Sequence, residues 1–196
     1  MARGFKLAKN EEEEPEAVEE KITRENNHVY FYSEVDRASA FTLITHLKEA
    51  ERFCIMSQLN LDIDSVPIYL HINSDGGLIT AALAVIDVIQ KMRVPVYSVI
   101  EGAVASAGTL ISVVCGKRFM RPNSYMLIHQ LSSVCWGKMS EIEDEFKHLT
   151  ELTEHIKRIY RDHAKIPKKE LNRLLKHDLW LNVDTALKHG LVDELY

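Results

Sequence analysis

The sequence predicts an α/β protein built from repeated βα units, and three observations carry that prediction. Short runs rich in β-branched and aromatic residues alternate with longer stretches whose apolar residues recur at spacings of three and four, the patterns of strands and of one-sided helices. Small-residue turns at Gly76-Gly77 and Ala105-Ser106-Ala107-Gly108 sit where strand-like runs give way to helix-like ones. The 196 residues are 46% hydrophobic and 27% charged, enough for one substantial core and too apolar for a disordered chain. Repeated crossovers of this kind indicate an α/β fold.

Residues 1 to 27 stand apart, because Glu11 to Glu14, Glu16, Glu19 and Glu20 form an acidic block that repels itself and has little to bury. A solvated, mobile tail is expected there, followed by a single domain over residues 28–196 without linker or internal repeat. Val29 to Tyr32 reads as a strand, Asp36 as the cap of a helix carrying Phe41, Ile44, Leu47 and Ala50, and Pro67 to Ile72 as the next strand. Gly76 and Gly77 turn the chain into a helix with Ile79, Leu83, Ile86 and Ile89 on one face. Val94 to Ile100 is a strand feeding Ser106 and its helix, Arg118 to Met120 a short strand, and Tyr125 to Ile128 another. Ser140 and Glu143 read as a capping box opening a long helix with Ile142, Phe146, Leu149, Leu152, Ile156 and Ile159 on one stripe. Its length exceeds what one small domain covers, so it either lies along its own core or protrudes. Pro167 starts a further helix ending near Lys176, and Asn182 to His189 forms the last, stopped by Gly190.

A net charge of -5 and a pI near 6.0 provide no basic field for phosphates, which argues against nucleic acid as a partner. Cys54, Cys115 and Cys135 lack pair spacing and read as small, half-buried core residues of a reducing compartment, with no disulfide. No apolar run reaches the roughly 20 residues of a bilayer span, and the N-terminus lacks a signal-peptide stretch, so a soluble cytoplasmic protein is expected. No G-x-x-x-x-G-K-[ST] phosphate loop is present, and neither metal nor organic cofactor is implied.

Chemistry concentrates between Gly102 and His129. Ser106 sits at a strand-to-helix turn among small residues, and His129 ends the apolar run Tyr125-Met126-Leu127-Ile128. A serine hydroxyl becomes a useful nucleophile only when an imidazole can take its proton, and the free N–H groups of a helix's first turn can receive an anion formed beside it. Taken alone, Ala-Ser-Ala-Gly reads as a helix cap, Gly-Gly as an ordinary turn, and a histidine ending a strand as a satisfied core or surface residue. Val104 also stands where a G-x-S-x-G elbow has its first glycine. His46, His148, His155, His163 and His189 fall in helices and read as solvated faces.

Four words in series are more specific than the dyad: Ile72-Asn73-Ser74-Asp75-Gly76-Gly77, Gly102 to Gly108, Arg121-Pro122-Asn123-Ser124 before the histidine run, and His177-Asp178-Leu179-Trp180-Leu181. In that order and spacing the chain, from about Val29 to Leu195, resembles the proteolytic subunit family of the Clp protease. The resemblance implies a crotonase-like fold with a protruding handle helix, and serine endopeptidase activity with Ser106, His129 and Asp178 as the triad. It implies an oxyanion hole from the N–H groups of Gly77 and Ala107, and peptide binding by strand addition along Gly76, Gly77, Leu78 and Ile79. It also implies homo-oligomers of stacked heptameric rings, a tetradecamer, that enclose the sites and are fed protein or peptide by a separate ATPase. Asp184 and Asp193 compete with Asp178 for the acid's place, but each reads better as a helix-end or turn carboxylate.

Two departures stand out. Asp75 occupies a position where the family usually has proline, next to the donors meant for an oxyanion. The family's N-terminal segment, which forms axial loops at the ring entrance, has no recognisable counterpart in residues 1 to 28, which leaves docking to a Clp-type ATPase open. Two alternatives remain: a crotonase-like acyl-CoA enzyme sharing the oxyanion-hole architecture, and a catalytically weak structural ring subunit.

Overall fold

The apolar runs become the centre of one sheet in the computed structural model, which describes residues 21–196. Its strands β1 (Lys21–Glu25), β2 (His28–Tyr32), β3 (Ile68–Ser74), β4 (Val96–Ala105), β5 (Lys117–Met120) and the terminal β8 (Glu194–Leu195) lie side by side in that order. β6 (Tyr125–Ile128) pairs instead with β4 and with β7 (Leu179–Leu181). The β1–β2 and β6–β7 pairs are antiparallel and all others parallel, as crossovers through helices require. Val29, Phe31, Ile68, Leu70, Ile72 and Ile100 are wholly buried in this centre. Each such side chain contributes about 1.5–3 kcal/mol relative to exposure.

Helix α1 (Arg37–Leu61) starts where expected: the Asp36 carboxylate accepts from Ser39 N (2.7 Å) and Ser39 Oγ accepts from Asp36 N (2.8 Å). It buries Leu43, Leu47, Ala50 and Cys54 on one stripe, packing on β1, β2 and β3. Helices α2 (Ile79–Ile89) and α3 (Ala107–Val113) follow β3 and β4 and pack on each other.

Several expectations are corrected. Lys21–Glu25, assigned to the mobile tail, is an edge strand paired with β2, while residues 1–20 lie outside the described residues. β4 runs on past Ile100 to Ala105 because its register against β3 shifts between Ile72 and Ser74, which carries its end from β5 to β6. Helix α4 (Met139–His163) opens before the predicted box: Lys138 N donates to the Glu141 carboxylate (2.9 Å), and Ser140 lies inside the helix. Only Ile156, Ile159 and Tyr160 of α4 are buried, so Phe146 of the predicted stripe stands 71% exposed. Cys135 is exposed, unlike Cys54 and Cys115, and His189 is buried rather than solvated.

After α5 (Lys168–Leu174) and α6 (Val183–Lys188), with the Asn182 side chain accepting from Thr185 N at the start of α6, the chain returns to the sheet through a clasp. Arg118 donates from Nε (2.9 Å) and a terminal nitrogen (2.6 Å) to the two Asp193 oxygens, and from its other terminal nitrogen to the His163 carbonyl (2.5 Å). Burial pushes the Asp193 carboxyl up, but the hydrogen bonds and charge of Arg118 outweigh it and hold the group below the usual carboxylate range. Asp193 is therefore engaged structurally. Among the described residues no helix is long and apolar enough to cross a membrane.

Candidate active site

Ser106 follows β4 and precedes α3 with φ 53° and ψ -124°, a left-handed conformation rare outside glycine. Its N–H donates to Leu127 O on β6 (2.9 Å), and its side chain makes no capping hydrogen bond. The ordinary cap geometry, with extended backbone and a side-chain oxygen turned onto the helix, is not what this residue adopts. The turn instead leaves the hydroxyl for another partner, with Ala107 N–H in the first turn of α3, where no intrahelical acceptor exists.

Gly76 and Gly77 lie against that turn. At Gly76 (φ 95°) a Cβ would stand 2.5 Å from Ser106 Cβ and 3.0 Å from Ala107 N, so only glycine lets the two backbones meet. At Gly77 (φ 136°) a Cβ would stand 2.4 Å from Val35 O. Val35 N donates to Gly76 O and Leu78 N to Val35 O, both at 2.6 Å, in a parallel bridge. Because alternate backbone groups of an extended strand face opposite edges, the N–H and C=O of Gly77 face away from Val35. Leu78 N–H is taken by Val35, and Ile79 already begins α2, which limits the expected peptide-binding edge to a short stretch centred on Gly77.

His129 follows β6, and β6 pairs with the Ala103–Ala105 end of β4, which puts the histidine on the serine's side of the sheet. Ser106, His129, Gly76, Gly77 and Asp75 line one groove of about 750 Å³, and a narrow recess beside it is walled by Ile79, Leu110, Ile156 and Tyr160. Asp178 is brought to the same end of the molecule by the β6–β7 pairing, with its Oδ1 4.0 Å from His129 Nδ1. That exceeds hydrogen-bond reach, and the Asp178 side chain is 80% exposed. Asp184 sits in the first turn of α6 and Asp193 in the Arg118 clasp, so neither competes.

Two clusters escaped the sequence. Thr109 and Tyr160, both buried, form a hydrogen-bonded pair beneath Ser106. On the sheet, His71 bridges His28 Nδ1 (2.9 Å) and Glu101 Oε1 (3.0 Å), and Glu101 also receives the Tyr32 hydroxyl and Arg121. Burial pushes the His71 imidazole down, with Glu101 opposing. Only position on alternating strand faces could have pointed to His71; Tyr160 lies next to Ile159, where the α4 stripe meets the core.

A family model described as Clp protease matches residues 11–196. The chain belongs to the Clp protease family. The match begins inside the acidic block, well before the Val29 limit that the motifs alone suggested. The chain is 34% identical over 131 residues to the ATP-dependent Clp protease proteolytic subunit 2 of Treponema denticola, covering 66% of each chain. It is 33% identical over 132 residues to the ATP-dependent Clp protease proteolytic subunit of Streptococcus mutans serotype c, covering 65% of this chain and 67% of that one. The aligned part spans about two thirds of the length of these relatives. The mixed sheet and its helices are the crotonase-like α/β fold of Clp proteases.

Proposed function

We propose that this chain is a cytoplasmic serine endopeptidase that cleaves unfolded proteins or peptides inside stacked heptameric rings of its own copies, fed by a separate ATPase. What supports this most directly is the Gly76 backbone seated on the Ser106–Ala107 turn, in the groove that also holds His129. His129 takes the Ser106 proton as the oxygen attacks a peptide carbonyl, and the N–H groups of Gly77 and Ala107 receive the charge that develops. His129 then protonates the leaving amine, and water attacks the acyl-enzyme with the roles reversed. Asp178 holds the imidazole's tautomer and offsets its positive charge. The substrate lies extended beside Gly77, whose N–H and C=O face the edge opposite Val35, with Gly76, Leu78 and Ile79 flanking it. Only proton transfers and one covalent intermediate are needed, so no cofactor enters. The relatives' names speak of an ATP-dependent system, which supports the external ATPase.

Ring assembly is supported by α4, whose earlier turns bury nothing and expose Met139 and Phe146, next to Trp136 at 96% exposure. A second reading, a catalytically weak ring subunit, is favoured by the 4.0 Å gap and the exposure of Asp178. A serine-directed fluorophosphonate separates the two: modification at Ser106 with turnover of a short fluorogenic peptide is expected, and absence of both would reject the peptidase. Replacing Phe146 and Leu149 by Glu should lower the native particle mass, since charge would be buried without a partner at the ring junction. An unchanged mass would place that stripe outside the assembly interface.

A further inference from the structure

We propose that Thr109 and Tyr160 are positioning residues for Ser106, forming a buried hydrogen-bonded strut that ties the nucleophile's turn to helix α4. The assignment rests on the peptidase reading for its catalytic meaning, but its geometry stands independently. Thr109 Oγ1 donates to the Ser106 carbonyl at 2.6 Å, and the same carbonyl accepts Thr109 N–H at 3.0 Å. Thr109 Oγ1 also lies 2.5 Å from the Tyr160 hydroxyl. A threonine hydroxyl has a single proton. Since that proton goes to Ser106 O, Tyr160 must be the donor to Thr109, and the chain of bonds has one direction: Tyr160 O–H to Thr109 Oγ1, and Thr109 O–H to Ser106 O.

Both side chains are sealed from water, Thr109 at 0% and Tyr160 at 2% exposure, so a broken bond finds no solvent replacement. Burial also pushes the Tyr160 hydroxyl far up, opposed by its bond to Thr109, which keeps it a donor across the neutral range. A threonine bonding back three residues is common in helices and by itself carries little. Here the threonine is held in turn by a residue 51 positions away, on the helix whose Ile156 walls the recess beside Ser106 and His129. The carbonyl being held belongs to a residue with φ 53°, a conformation that survives only when surroundings over-determine it. The Ser106 C=O and the Ala107 N–H belong to one planar peptide unit, so loosening the strut lets that unit rotate and re-aims the Ala107 N–H beside the hydroxyl. Misplacement of that kind lowers turnover more than it weakens ground-state binding.

The test compares Tyr160→Phe, Thr109→Ala, Thr109→Ser and the double variant Tyr160→Phe/Thr109→Ala in the full assembled chain. Steady-state cleavage of a short fluorogenic peptide is followed together with hydrogen exchange of the 105–110 backbone and native mass. Tyr160→Phe and Thr109→Ala should each lower kcat by about tenfold with KM changed less than about twofold. The double variant should be no worse than Thr109→Ala, because each change breaks the same chain. Thr109→Ser should restore kcat. Exchange of the 105–110 amides should accelerate in Tyr160→Phe at unchanged native mass. Unaltered kcat and exchange in Tyr160→Phe, or a loss confined to KM, would overturn the strut. If the unsubstituted chain proved inactive, the peptidase reading would fall, and the exchange comparison alone would still decide whether Tyr160 holds the Ser106 turn.

Discussion

The two ends of the line from Ser106 through His129 to Asp178 are built in opposite ways. At the serine end a left-handed turn is pinned by Leu127 O, by the buried Thr109 and by the buried Gly76 backbone. At the acid end a carboxylate that is mostly in water stands 4.0 Å from His129, just before the three-residue strand β7. The proposed nucleophile and oxyanion donors are thus prepared by the chain's own packing, whereas the proposed acid is held by little. A site of this kind has its electrostatic half fixed in advance and its orienting half adjustable.

The sharpest way to break the contrast is at the serine. Ser106→Ala should reduce peptide hydrolysis by about four to six powers of ten while native mass stays unchanged, because on the proposed reading the hydroxyl is the nucleophile, and it fills little space. Near-normal cleavage would remove Ser106 from the chemistry. Gly76→Ala comes next: its Cβ would collide with Ser106 Cβ at 2.5 Å, so kcat should fall by about a hundredfold or more and the melting temperature should drop. A tolerated alanine would mean that the serine turn is not clamped.

The acid end should respond more weakly. Asp178→Asn, read as kcat against pH, should cost about tenfold to thirtyfold, since an exposed pair is screened by water. A loss as deep as that of Ser106→Ala would show instead that Asp178 closes on His129 in the working particle. Smallest of all is Asp75, exposed on the rim of the groove. If its carboxylate faces the proposed oxyanion donors, Asp75→Asn removes an opposing charge and should raise the acylation rate by about tenfold. Unchanged or lower rates would mean that the carboxylate points away from the donors.

The same contrast runs through what could be read from the sequence. The serine turn, the glycine pair and the histidine strand were legible because each depends on local words whose backbone needs are specific: φ values open to glycine, small residues at a junction, a short apolar run. Helix α1 was legible from Asp36 for the same reason. Strands β1, β7 and β8 were not, because Lys21–Glu25 is a polar edge and the other two are only three and two residues long, formed by pairing rather than propensity. The 4.0 Å gap at Asp178 depends on tertiary placement of an exposed side chain, which no spacing encodes. Thr109 and Tyr160 were hidden differently, as a short polar residue inside a buried helix and an aromatic on an amphipathic stripe. Their bond exists only once α3 and α4 have met.

Strand β4 pairs with β3, β5 and β6, each in parallel, and its end changes partner from β5 to β6 just before Ser106. Pairings of that sort cannot form between adjacent stretches of chain; they wait for later residues to be made and brought back. During synthesis Ser106 therefore emerges ahead of β6, the strand that His129 follows, and Asp178 emerges later still, after α4 and α5. On the proposed roles, a partly synthesised chain holds the nucleophile without the means to activate it, so the order of translation itself delays the appearance of a competent hydrolytic centre until the domain is nearly complete.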